Sequence, residues 1–153
     1  MSIPTLGRRT LPTGILQNWP AGTPVTLQTL ASLMISMSDN TGTDHLLFYL
    51  GRQEVEAVAP QTMRPFYATL ELFKIKWGSD PVRQQQFVDA TLAERRLLLD
   101  GMRSVSIESV RFRATPTLVD SIEWFATTRK LCDVIGAVGF DPVLGTNTGL
   151  VDR

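Results

Sequence analysis

Cysteine and histidine are nearly missing from this sequence: Cys132 and His45 occur once each in 153 residues. A single thiol closes no intramolecular disulfide, and one Cys with one His falls short of the ligand set of a structural zinc; no cofactor is expected. Charge of one sign is missing as well. Fifteen Lys and Arg balance fifteen Asp and Glu, which removes the field that draws in nucleic acid or an anionic membrane surface. There is no long hydrophobic run, since the apolar stretches at 30–37 and 45–50 stop well short of the ~20 residues of a membrane span. No segment repeats with a period of ~20–50 residues, which excludes a solenoid. What is present, at 43% hydrophobic and 8% aromatic residues, suits one packed domain and is too apolar for a disordered chain.

Residues 1–25 hold Pro4, Pro12, Pro20 and Pro24 with Gly7, Gly14 and Gly22. Fixed φ angles and missing N–H donors predict a turn-rich arm there, docked on the body through Ile15, Leu16 and Trp19. A helical body is expected over 26–138. Leu27, Leu30, Leu33, Met34 and Met37 make one apolar stripe on a first helix, with Thr26 or Thr29 as its cap. Ser38-Asp39-Asn40 ends that helix, and a second follows over 41–50, burying Leu46, Leu47 and Leu50 and closed by Gly51. Residues 52–58 read as a short connecting segment. Residues 69–77 read as a helix with Leu70, Phe73 and Trp77 on its inner side, and 81–90 and 91–102 as two more. Thr91 and Glu94 have the spacing of a capping box, and Leu92, Leu98, Leu99 and Met102 form the inward face. Residues 104–117 alternate enough for a short strand or an extended loop. A last helix over 127–138 carries Leu131, Ile135 and Val138 in phase, with Cys132 expected as a small buried hydrophobe. Residues 139–153 read as a loop tail.

The informative stretch runs from Thr26 through Leu33-Met34-Ile35-Ser36-Met37-Ser38-Asp39-Asn40 to Thr41-Gly42-Thr43-Asp44. It resembles the helix, S-D-N turn and following helix of class A β-lactamases and related penicillin-recognising serine hydrolases, whose signature combines S-x-x-K, S-D-N and K-T-G. Trp124-Phe125-Ala126-Thr127-Thr128-Arg129-Lys130-Leu131-Cys132 is similar to the threonine-capped helix that follows the active-site loop in that family. Residues 64–74 (RPFYATLELFK) are similar to a segment found after the S-D-N helices in a subgroup of it. The resemblance implies a mainly α fold, the helical domain of the β-lactamase-like αβα architecture without its sheet-forming ends. It implies acyl transfer to a serine followed by hydrolysis of an amide or β-lactam, with a β-lactam or peptide-like small molecule as substrate. A periplasmic or secreted location is expected for the parent family, with any export signal outside this sequence, because residues 1–13 lack an apolar signal core.

Within the motif, the resemblance assigns Ser38 a proton relay to the departing nitrogen and Asn40 an amide that orients substrate or the catalytic lysine. It assigns Asp39 a supporting role, pointing inward and tying the turn to backbone donors. Glu123 is the one weak candidate for a general base, since no E-x-x-L-N motif occurs. Neither Ser-x-x-Lys nor Lys-Thr-Gly occurs in the 153 residues, so the nucleophile and the substrate-carboxylate strand are expected on segments upstream and downstream, and this chain alone is expected to be inactive. The alternative is a non-catalytic helical module that binds a partner or itself, as a homo-oligomer, through the face the missing sheet would cover. The plainest alternative for Ser38-Asp39-Asn40 is a helix-ending polar turn. His45 is assigned no role, the three tryptophans are expected in packing, and Arg95-Arg96 and Arg111/Arg113 on solvated faces.

Overall fold

The structure, a computed structural model, describes residues 1–3, 9–10, 12–113 and 115–140. Eight α-helices occur among them: α1 Leu27–Met37, α2 Asn40–Leu50, α3 Arg52–Val58, α4 Thr69–Trp77, α5 Pro81–Asp89, α6 Leu92–Gly101, α7 Val119–Ile122 and α8 Thr128–Phe140. The described residues contain no strand, only an isolated antiparallel bridge between Ser2 and Pro24. The fold is therefore mainly α, as the sequence pattern and the resemblance predict.

Capping chemistry sets most of the boundaries. The Thr26 hydroxyl accepts from the Thr29 N–H, the Asp80 carboxylate from the Arg83 N–H with Pro81 at the first helical position, and Thr91 and Glu94 cap one another reciprocally. At α4 the Glu71 carboxylate reaches back to the Ala68 N–H at 2.8 Å. Gly51, at φ +92, joins α2 to α3 in a conformation that side chains rarely adopt.

Two apolar clusters hold the helices. The first joins the arm to α1, with Ile3, Leu16, Val25 and Leu30 buried and Trp19, Leu33 and Leu46 packed around them. The second gathers Tyr67, Ile75, Phe87, Leu99, Met102 and Ile122 from the later helices. Trp124 stacks on Phe66 and Tyr67 at ring separations of 4.4 and 5.5 Å. Gly42 lets α1 and α2 approach closely, since a β-carbon there would sit 3.2 Å from the Leu30 carbonyl oxygen.

Several expectations are corrected. Residues 52–58 form α3, a helix that buries Glu56. Of the two readings given for 104–117, the described residues follow the loop and not the strand: they hold a 3-10 turn at Ile107–Ser109 and pass over α4 instead of pairing with a neighbour. Leu50 and Leu92 are exposed, since each helix turns other residues inward. On α4 the buried positions are Glu71, Lys74, Ile75 and Lys76, whereas Leu70, Phe73 and Trp77 are half-buried. On α8, Leu131, Val134 and Ile135 are exposed, and so is Cys132. Cys132 is thus not the buried hydrophobe expected, since periodicity reports an amphipathic face without saying what covers it. Arg95 and Arg96 are engaged: Arg95 lies over the Phe87 ring and Arg96 pairs with Glu56. The Val138 side chain and the tail from residue 141 fall outside the described residues.

Candidate active site

Ser38-Asp39-Asn40 occupies the corner between α1 and α2. Ser38 ends α1 in the left-handed region at φ 51, ψ 44, and both its N–H and that of Asp39 turn back on the Leu33 carbonyl. The Asp39 side chain is fully buried and accepts three backbone N–H groups: Oδ1 from Gly42 at 2.9 Å, Oδ2 from Ile15 at 2.7 Å and Leu16 at 2.9 Å. One carboxylate thus caps α2 and pins the arm to the same corner, which offsets the cost of burying its charge. Ser38 is exposed, its carbonyl takes the Thr13 hydroxyl at 2.7 Å, and its own hydroxyl meets no partner among the described residues. Asn40, half-buried, opens α2.

A second buried carboxylate braces the corner from behind. Asp44, one turn along α2, accepts the Thr10 hydroxyl at 2.6 Å and the Thr69 and Leu70 N–H groups at 2.6 and 2.9 Å. It ties the arm, α2 and the start of α4 together. Burial pushes its carboxyl above the ordinary range, and the hydrogen bonds partly offset that rise. Glu71 is raised for the same reason against the pull of Arg52, whose guanidinium nitrogen lies 2.8 and 2.9 Å from its two oxygens. Lys74 is pushed down by burial and donates to the Met102 carbonyl at 2.9 Å.

In front of the turn lies an open groove of about 540 Å³ lined by Pro12, Thr13, Asn40, Phe73, Trp77, Phe112 and Arg113. The Arg111 N–H donates to the Trp77 carbonyl at 2.8 Å, which lays the chain from 111 to 113 along the end of α4. Phe73, Trp77 and Phe112 then form a mutual aromatic wall, with ring centroids 5.1, 5.3 and 5.5 Å apart. The Trp77 indole N–H is buried without an acceptor among the described residues.

A model of the Beta-lactamase enzyme family matches residues 7–64. Over these residues the chain is similar to that family. No curated protein matches the chain. The matched segment contains the greater part of the arm, the S-D-N corner and α1–α3, and it stops before α4. The aromatic wall of the groove thus comes from residues beyond the matched segment, while Pro12, Thr13 and Asn40 come from within it.

The structure brings Asn40 into the groove and places Ser38 and Asp39 beside it in the same turn. Glu123 is elsewhere: it pairs with Lys76 after the end of α7 and does not line the groove. His45 contacts the Ser2 carbonyl at 3.0 Å. A further cavity of about 310 Å³, lined by residues of α4, α5 and 104–109, contains none of the motif, and its Asp80 and Arg83 pair at 3.6 Å. Among the described residues no group of three His, Cys, Asp or Glu side chains could hold a metal, and no helix is long and apolar enough to cross a membrane.

Sequence reasoning missed Gly14, Asp44 and the wall. The Phe73–Trp77 spacing of four is visible in the sequence but reads equally as packing, and Phe112 and Arg113 carry no signal linking them to α4.

Proposed function

We propose that the S-D-N corner is one wall of a serine-hydrolase site that transfers an acyl group from an amide or β-lactam to a serine and then to water. The buried Asp39 carries the reading: three backbone N–H groups fix its carboxylate, so its neighbours are held with Ser38 facing solvent and Asn40 facing the groove. In this reading Asn40 orients the substrate amide, and Ser38 passes a proton to the leaving nitrogen. The nucleophilic serine and its lysine belong to segments other than these 153 residues, and the chain alone does not turn over substrate.

The test is labelling by a fluorescent penicillin. A reading frame that supplies Ser-x-x-Lys together with this chain should be labelled, and Ser38→Ala should slow its acylation by about a hundredfold, the scale of a positioned proton relay. The 153-residue chain should stay unlabelled under the same conditions. Covalent labelling of the short chain overturns the assignment of the nucleophile to another segment.

A second reading is favoured by exposed apolar side chains on α2 (Phe48, Tyr49, Leu50) and α8 (Leu131, Val134, Ile135). Exposed apolar side chains mark association surfaces where they form a patch, as in a non-catalytic module of the same scaffold. Sedimentation of the 153-residue chain, with concentration-dependent association abolished by Leu131→Lys and Ile135→Lys, would support it; a monomer at all concentrations rejects it.

A further inference from the structure

The groove carries more specificity than the motif beside it. Its wall is three aromatic rings in mutual contact, with Phe112 41% exposed. Among the described residues, the charged side chain lining it is Arg113, which is exposed and makes no hydrogen bond or ion pair with the others. Among the described residues no carboxylate lines the groove. Aromatic faces take a flat apolar ring, and an uncompensated guanidinium takes an anion, bidentately where that anion is a carboxylate.

We propose that this groove binds a small aromatic carboxylate, the ring lying on Phe73, Trp77 and Phe112 and the carboxylate on Arg113. Such a group would be the acyl side chain of the substrate. The inference rests on the hydrolase reading for that last step, in which Asn40 meets the amide of the same molecule. The ring and the charge are matched by Phe112 and Arg113 whether or not any hydrolysis follows. The wall lies outside the segment that the family model matches, so it is a property of this chain's own continuation through α4 and residues 111–113.

The experiment is a titration of the 153-residue chain, followed by tryptophan fluorescence and by amide chemical shifts. The probes are phenylacetate, 2-phenylethanol, acetate and phenylmalonic acid monoamide, which adds one amide to phenylacetate. Phenylacetate should bind saturably and at least about tenfold more tightly than 2-phenylethanol or acetate. Phe112→Ala should weaken it by about tenfold, the scale of one ring contact, and Arg113→Gln should abolish its advantage over 2-phenylethanol. Both side chains are exposed, so both variants should fold, and unchanged circular dichroism would verify that they do. Equal affinity for phenylacetate and 2-phenylethanol, or binding indifferent to both substitutions, overturns the proposal. The monoamide separates the two readings. If phenylacetate passes every test while the added amide gains nothing and Asn40→Ala changes nothing, the groove stands and the role given to Asn40 falls. If the amide gains affinity through Asn40 while the ring and carboxylate gain none, the groove proposal falls alone.

Discussion

Gly14 lies directly against Asp39: a β-carbon at Gly14 would fall 2.6 Å from the Asp39 α-carbon and closer still to its carboxylate. Gly14 also has φ +95, where side chains are strained. The arm can therefore deliver the Ile15 and Leu16 N–H groups to Asp39 only with glycine at 14. Gly14→Ala should cost about 2–3 kcal/mol, combining the backbone strain with the clash. Denaturant melts would measure this. Limited proteolysis should cut the variant within residues 12–19 much faster than the parent.

Removing the acceptor tests the same contact from the other side. In Asp39→Asn the amide NH2 must face either the Gly42 N–H or the pair from Ile15 and Leu16, and neither arrangement satisfies all three donors. A buried donor left without a partner costs about 1–3 kcal/mol. Thermal melting should fall by about 2–4 °C for each kcal/mol lost in a chain of this size. Hydrogen exchange at Ile15 and Leu16 should accelerate more than at Leu99, which belongs to the other cluster.

Ser38 separates stability from function. A non-glycine residue in the left-handed region costs about 1–2 kcal/mol, and Ser38 stands there with its hydroxyl unsatisfied by the described residues. Ser38→Gly relieves that strain but frees the unfolded chain, so the net gain should be at most about 1 kcal/mol. Ser38→Ala keeps the strain and should leave stability within about 0.5 kcal/mol of the parent. In the proposed hydrolase, with Ser-x-x-Lys supplied alongside this chain, both variants should impair acylation. A Ser38→Gly variant less stable than Ser38→Ala would contradict the strain argument.

These contrasts show which parts of the molecule a sequence exposes. The S-D-N corner was legible because its determinants are local: a stripe of Leu and Met, short polar residues, and a second stripe at helical spacing. Helices with caps in sequence, such as Thr91 with Glu94, were legible for the same reason. What stayed hidden depends on distant partners. Asp44 gains its role only from Thr10, Thr69 and Leu70, which lie 34 residues before it and 25 and 26 after it. Phe112 joins Phe73 and Trp77 through a backbone hydrogen bond from Arg111 that no periodicity announces. The inward face of α4 was misread because Lys74 and Lys76, polar by composition, are buried through a carbonyl and a carboxylate partner.

The two raised carboxyls make stability depend on pH in a definite direction. Burial holds Asp44 and Glu71 above their ordinary carboxylate range, so on acidification the folded chain takes up these protons before the unfolded chain does. Stability from these two groups therefore rises as pH falls from neutral through their raised values, and levels off below the ordinary carboxylate range. Glu94 works oppositely: its hydrogen bonds with Thr91 hold its carboxyl low, and its contribution is lost as pH falls through that lowered value. Asp44→Asn should cost about 1–3 kcal/mol, because its amide cannot accept from the Thr10 hydroxyl and both α4 N–H groups. It should also remove one of the two proton-uptake sites. Urea melts at pH 7 and pH 5 provide the check. The gain in unfolding free energy on going from pH 7 to pH 5 should be larger in the parent than in Asp44→Asn. Equal changes in the two proteins would show that Asp44 titrates in its ordinary range despite its burial.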